Sequence, residues 1–199
     1  DLLLDAGSDE VVIGLDLFEE TAELCHIRRQ GTAGVALVSP GFQLKANPLG
    51  TALGLDQARS VPVVLQGGAK GGLQKARLNG VELDLRGLLQ QGKAWAINGE
   101  VGPSQASLGE FALGSTIVLE IENQTAFAQP LHLHGHVWQL IEDSSAELKT
   151  PQPWRDTTVV PARGRQKLAF LADNPGLWVL QSLVAERCDS GLITGFKVG

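Results

Sequence analysis

The sequence consists mainly of short runs of aliphatic and β-branched residues, and glycine, proline or asparagine ends most of them. Runs of this length with such boundaries predict β-strands. The pattern is clearest after residue 114, where it predicts strands at 115–123, 132–142, 157–160, 166–172, 176–184 and 192–198. Because many short strands at this spacing are typical of two packed sheets, we expect an all-β sandwich.

The first 58 residues predict only a partial β unit. Strand-like runs lie at 10–17, 23–29 and 34–38, and an aperiodic stretch rich in proline and glycine follows up to about residue 59. These runs are too few to complete a sandwich. We therefore expect residues 1–58 to be the end of a preceding domain with a linker, and residues 59–199 to form the sandwich.

Three local signals predict turns and boundaries in the next part of the chain. The run 61–66 reads as a strand, and Pro62 indicates an edge position because proline cannot donate to a sheet ladder. Asn79-Gly80 predicts a tight hairpin within 76–83. Asp84 is a suitable N-cap for a helical turn at 84–91.

The composition excludes several classes of protein. Hydrophobic residues make up 43% and charged residues 19%, which excludes a disordered chain. A formal charge of −6 argues against nucleic-acid binding, which needs a basic surface. No apolar run approaches the roughly 20 residues of a membrane helix, so we expect no transmembrane segment. Cys25 and Cys188 are too few for a disulfide-dense scaffold; they could pair, but because they lie far apart in the sequence we expect two free, mostly buried thiols.

Three of the four histidines lie within five positions, at 132, 134 and 136. Because alternate residues of a strand share a face, we expect His132 and His134 to project together, with Gly135 re-aiming His136. Neutral imidazole is a good ligand for copper and zinc. Two interpretations stay open on the spacing alone: a metal site at His132 and His134, or histidines that are only hydrogen-bonded in the sandwich or displayed at its rim.

Four segments carry a family resemblance: WAING at 95–99, PLHLHGH at 130–136, WRDT at 154–157 and FLADNPG at 170–176. Together they resemble the C-terminal cupredoxin domain of multicopper oxidases, the laccase-like family. The resemblance implies a cupredoxin-like Greek-key β-sandwich over 59–199, preceded at 1–58 by a partial β unit from a second cupredoxin domain. It also implies copper-dependent oxidoreductase chemistry and a periplasmic or extracellular location.

The copper motifs of that family are altered in this sequence. Gln129 replaces the leading histidine of the motif His-Pro-x-His-x-His-Gly-His. In the second motif, Gln181, Ser182 and Leu183 stand at His-Cys-His, and Arg187 stands at the following histidine. By the resemblance, a blue-copper (type 1) site needs a cysteine thiolate and two imidazoles, but this chain offers Ser182, Gln129 and Arg187. His132 and His134 match two of the family's other copper ligands.

The resulting hypothesis is a multicopper-oxidase-like protein that has lost its type 1 copper ligands and serves as a non-catalytic scaffold or binding module. The alternatives are an active or partner-completed copper oxidoreductase, or simple copper or zinc binding through His132 and His134. A protein that binds copper and a protein without any cofactor are equally compatible with the sequence. No side chain is assigned a catalytic role. The expected partners are the missing N-terminal cupredoxin domains or another protein chain.

Overall fold

The computed structural model describes residues 10–17, 20–28, 53–103, 107–148 and 152–199. The chain divides into two compact units, Asp1–Pro48 and Leu49–Gly199. In the first unit, β1 (Glu10–Leu17) and β2 (Glu20–Arg28) form an antiparallel hairpin. The strand predicted at 34–38 lies outside the described residues.

The second unit contains two sheets, and its strands follow one another with two short α-helices and a 3-10 turn at Leu55–Gln57. The helices are α1 (Leu85–Gln90) and α2 (Ala185–Asp189). The strands are β3 (Arg59–Gly67), β4 (Lys75–Leu78), β5 (Val81–Asp84), β6 (Trp95–Ile97), β7 (Glu100–Val101), β8 (Glu110–Phe111), β9 (Thr116–Asn123), β10 (Gln129–Leu133), β11 (Trp138–Asp143), β12 (Thr157–Val160), β13 (Arg165–Leu171), β14 (Gly176–Ser182) and β15 (Ile193–Val198).

The five-stranded sheet has the order β12-β10-β14-β15-β8, and the eight-stranded sheet has the order β11-β13-β9-β3-β6-β7-β4-β5. Apolar side chains from both sheets form one core, in which the rings of Phe111, Phe170 and Phe196 contact one another. Along β10 the buried residues alternate with half-buried Pro130 and His132. The predicted all-β sandwich is therefore confirmed, and the outward positions of β10 include His132.

The single strand predicted at 132–142 is wrong, because the segment forms β10 and β11, which belong to different sheets. Between them Gly135 has φ +72°, and a Cβ there would lie 2.4 Å from the Trp178 ring. Only glycine combines this backbone conformation with so close an approach. The chain thus changes sheets directly after His134.

The edge position predicted from Pro62 is also wrong for the strand as a whole, since β3 lies between β9 and β6. However, β3 pairs with β6 only over Leu65–Gly67, so Pro62 faces no described strand on that side. The Asn98 side chain occupies this gap. Its Oδ1 accepts from the Val64 N–H at 2.7 Å, and its Nδ2 donates to the Pro62 carbonyl at 2.9 Å.

The two local turn signals are confirmed. Asn79 and Gly80 have φ of +52° and +80° and join β4 to β5, as an Asn-Gly hairpin requires. The Asp84 carboxylate accepts from the Gly87 N–H at 2.8 Å and caps α1. Both cysteines are free as predicted, but Cys25 is exposed and Cys188 half-buried, so the expected burial is wrong.

Candidate functional site

His132 and His134 form an imidazole pair at the end of β10, with ring centroids 4.7 Å apart. His132 Nδ1 lies 3.1 Å from Thr157 Oγ1 and 3.9 Å from an Asp156 carboxylate oxygen. His134 Nε2 is buried and has no hydrogen-bond partner in the described part of the chain. Burial, together with the charge of His132, lowers the pKa of His134 and favours its neutral, metal-binding form.

His136 does not join this pair but lies in an aromatic cage. Its ring centroid is 5.2 Å from that of Phe170 and 5.6 Å from those of Trp178 and Phe196. Its Nδ1 donates to the His134 carbonyl at 3.1 Å, and burial lowers its pKa. His136 is therefore a neutral packing residue that helps to fix the backbone of His134.

The surroundings of the imidazole pair add few metal ligands. An open cavity of about 570 Å³ beside it is lined by residues that include His132, Asp156 and Asp173. Nevertheless, no group of three histidine, cysteine, aspartate or glutamate side chains within 10–17, 20–28, 53–103, 107–148 and 152–199 is arranged to hold a metal ion. Gln181, the β14 neighbour of His132, receives a weak hydrogen bond from the Cys188 thiol at 3.8 Å. Among the described residues, the site therefore consists of two imidazoles without a third side chain of these types placed to hold a metal ion with them.

A second cluster contains Gln129 and Arg187, two residues that stand at altered positions of the family's copper motifs. Gln129 is fully buried in β10; its Nε2 donates to Thr125 Oγ1 at 2.9 Å. Its Oε1 accepts from the Arg187 guanidinium at 2.9 Å. Both polar atoms of this buried amide are therefore hydrogen-bonded within the protein.

The Arg187 side chain is held from several sides. The nitrogen that donates to Gln129 also donates to the Ala128 carbonyl at 2.7 Å. The guanidinium carbon lies 5.4 Å from the Trp95 ring centroid and 5.3 Å from that of Phe127, within the range of cation–π attraction. Arg187 thus links α2 to β10 and to two aromatic rings.

Ser182 lies on β14 opposite Leu131, which follows Gln129 by two residues on the same face of β10. Its side chain is buried, and its hydroxyl accepts from the Val184 N–H at 3.2 Å. The three altered motif positions therefore carry an amide, a hydroxyl and a guanidinium. None of these groups is a soft thiolate or an imidazole, and an arginine cannot be deprotonated in a protein.

Comparison with known proteins identifies the family. The sequence profile described as multicopper oxidase matches residues 81–199. The chain belongs to the multicopper oxidase family. It is 35% identical over 86 residues to the multicopper oxidase MmcO of Mycobacterium tuberculosis, a match that covers 43% of this chain and 16% of that protein. It is 30% identical over 126 residues to Laccase-1 of Botryotinia fuckeliana, covering 60% of this chain and 22% of the laccase.

Solved structures show the same fold. The McoA multicopper oxidase of Aquifex aeolicus superimposes with a TM-score of 0.61 at 19% identity, over 92% of this chain and 38% of that one. The cupredoxin-like sandwich predicted from the sequence is thereby confirmed. The chain spans well under half the length of these multicopper oxidases. Among its described residues, no helix is long and apolar enough to cross a membrane.

The motifs identified both residue clusters but not their surroundings. Nothing in the sequence predicts α2, because it has only five residues, begins three positions after β14 ends and has no side-chain cap. The role of Phe127 was missed as well, since it lies in a connection outside any predicted strand. The contact of Arg187 with the Trp95 and Phe127 rings joins segments that are far apart in the sequence, so no local pattern predicts it.

Proposed function

We propose that this multicopper-oxidase chain has lost its type 1 copper ligands and serves as a non-catalytic scaffold or binding module. One observation carries the proposal: the Arg187 guanidinium donates to Gln129 Oε1, and both residues stand at positions where the family's motifs have histidine. A permanent cation and its hydrogen-bond partner thus occupy the positions of two imidazole ligands.

The chemistry of this cluster does not fit a copper ion. A blue-copper centre depends on a thiolate, and the Ser182 hydroxyl is a much harder, protonated donor. A copper ion beside Arg187 would also be repelled by the guanidinium charge. To move away, the guanidinium would have to leave Oε1 of Gln129, a fully buried side chain, as well as the Ala128 carbonyl.

A second candidate function is copper or zinc binding through His132 and His134. It is supported by the distance of 4.7 Å between the rings and by the buried His134 Nε2 without a partner. Two imidazoles make up half of a four-coordinate site, so further ligands would have to come from another chain or from solvent. Electron transfer is not part of this role.

The domain organisation, partners and location that we propose for the module follow from the family resemblance. Residues 1–58 would be the C-terminal part of a preceding cupredoxin-like domain with its linker, and residues 59–199 the C-terminal cupredoxin domain. N-terminal cupredoxin domains or another protein chain would be the partners. A periplasmic or extracellular location fits the similarity to multicopper oxidases and laccases.

Copper loading followed by metal analysis and absorption spectroscopy tests the proposal. We expect no thiolate-to-copper charge-transfer band, because no cysteine stands at the site. Any retained copper should disappear in a His132→Ala, His134→Ala double variant. A triple variant with Gln129→His, Ser182→Cys and Arg187→His is the positive control for detecting such a band. A blue band in the unmodified protein, or oxidase turnover by it, would disprove the proposal.

A further inference from the structure

The chain contains two Asn-Gly pairs, Asn79-Gly80 and Asn98-Gly99. In such a pair the backbone nitrogen of the glycine can attack the asparagine side chain, because glycine has no Cβ to hinder the approach. Of the three other asparagines, two precede proline, which has no N–H to react, and Asn123 precedes glutamine. The two Asn-Gly pairs are therefore the places where the sequence most favours a spontaneous change of the amide.

The two pairs have nearly the same backbone conformation. Asn79 and Asn98 both have φ of +52°, and the glycines that follow them have φ of +80° and +74°. Both asparagines are exposed. Neither main-chain geometry nor access to water distinguishes the two asparagines, so a difference in their reactivity must come from the hydrogen bonds around each pair.

At Asn98 the groups that would react are held by hydrogen bonds. The side chain is fixed along β3, where Oδ1 accepts from the Val64 N–H at 2.7 Å and Nδ2 donates to the Pro62 carbonyl at 2.9 Å. The attacking nitrogen would be that of Gly99, whose N–H donates to Gln66 Oε1 at 3.0 Å. A reaction at Asn98 would have to break these bonds, each of which stabilises the unreacted form.

Asn79 has none of these restraints. In the part of the chain that the structure describes, its side-chain amide forms no hydrogen bond and the Gly80 N–H donates to no acceptor. Nothing beyond its chain neighbours lies within 4 Å of a Cβ added to Gly80, so the turn is open to solvent on this side. The Asn79 side chain and the Gly80 nitrogen can therefore approach each other when the turn fluctuates.

We propose that Asn79 is a site of spontaneous deamidation in the folded protein. The Gly80 nitrogen loses its proton and attacks Cγ of Asn79; the new N–Cγ bond closes a succinimide ring, and Nδ2 leaves as ammonia. Water then opens the ring. Its addition to the side-chain carbonyl gives aspartate, and its addition to the main-chain carbonyl of residue 79 gives isoaspartate. Water is the only co-reactant, and either product adds a negative charge to the β4–β5 turn.

Isoaspartate at this position weakens the edge of the eight-stranded sheet. β5 is the last strand of that sheet and, among the described strands, pairs with β4 alone. The tight turn between them needs positive φ at both of its residues, and isoaspartate adds a carbon to its main chain. The pairing of Leu78 with Val81 is then strained. We expect faster hydrogen exchange over Val81–Asp84 in the isoaspartate form; unchanged exchange there would show that the turn accepts the extra carbon.

Incubation of the full chain at mildly alkaline pH, followed by peptide mass spectrometry, tests the proposal. We expect Asn79 to deamidate at least about 10-fold faster than Asn98, because only Asn98 must first lose its hydrogen bonds. In guanidinium the two rates should become similar, since both pairs follow an aliphatic residue and lose their structure. Gln66→Ala frees the Gly99 N–H and should raise the rate at Asn98 without changing that at Asn79.

Three results would overturn the inference. Equal rates at both asparagines of the folded chain would mean that the hydrogen bonds around Asn98 give no protection. A preference for Asn79 that persists in guanidinium would come from the neighbouring residues and not from the fold. A folded chain that does not react at Asn79, while the denatured chain does, would mean that the hairpin protects this residue.

Discussion

Replacing Arg187 with alanine is expected to lower the free energy of unfolding by about 3 kcal/mol. The variant leaves Gln129 Oε1 buried without its donor, which costs about 1–3 kcal/mol. It also removes the cation from the Trp95 and Phe127 rings, a loss of about 0.5–2 kcal/mol. Urea denaturation followed by tryptophan fluorescence and circular dichroism measures the change.

Two control variants separate the role of this guanidinium from the general effect of losing an arginine. Arg59 also lies over a ring, 5.3 Å from the Phe111 centroid, and donates to the Glu110 carbonyl at 2.8 Å. It bridges no buried amide, so Arg59→Ala should cost only about 1 kcal/mol. Arg187→Lys keeps the charge but not the planar fork and should fall between wild type and Arg187→Ala. If Arg187→Ala is no less stable than Arg59→Ala, the guanidinium does not hold this cluster together.

Gly135→Ala is expected to destabilise the protein by a similar amount, about 3 kcal/mol, through a different mechanism. Alanine is strained at φ +72°, and its Cβ would lie 2.4 Å from the Trp178 ring. The ring cannot move freely, because Trp178 Nε1 donates to the Asn174 carbonyl at 2.9 Å. The chain between β10 and β11 must shift instead, and the imidazole of His134 shifts with it.

Gly72→Ala is the matched control for this substitution. Gly72 has the same φ of +72°, but no atom lies within 4 Å of a Cβ added there. It therefore reports the backbone strain alone, about 1 kcal/mol. Thermal and urea unfolding of both variants separate the cost of backbone strain from the cost of the contact with the Trp178 ring. Equal losses would mean that the contact with Trp178 contributes nothing to the effect of Gly135→Ala.

Much of the fold could be predicted from the sequence, because its signals are local. β1 and β12 have the predicted bounds, since alternating or continuous apolar runs are flanked there by clear breaks. The hairpin at Asn79-Gly80 follows from the φ preference of those two residues. The separation of β10 from β11 could not be predicted, because apolar alternation continues past Gly135 and only the tertiary contact with Trp178 shows the change of sheet.

The same distinction between local sequence signals and tertiary contacts applies to the candidate sites. The alternation of a strand predicts that His132 and His134 share a face, and the pairing of β10 with β12 and β14 supplies their neighbours. The contact between Gln129 and Arg187 joins residues 58 positions apart, and the motif suggested only that their positions belong to one site. The guanidinium bonds and the two rings depend on how α2 turns back, which no local pattern encodes.

The position of β15 has a consequence for biosynthesis. The strand holding the last residues of the sandwich, Ile193–Val198, lies inside the five-stranded sheet between β14 and β8, and Phe196 and Val198 are buried. While the ribosome still covers these residues, β8 has no strand beside it and the rings of Phe111 and Phe170 lack their neighbour. The five-stranded sheet therefore cannot be completed before Ile193–Val198 is available, and we expect the sandwich without this strand to be prone to aggregation.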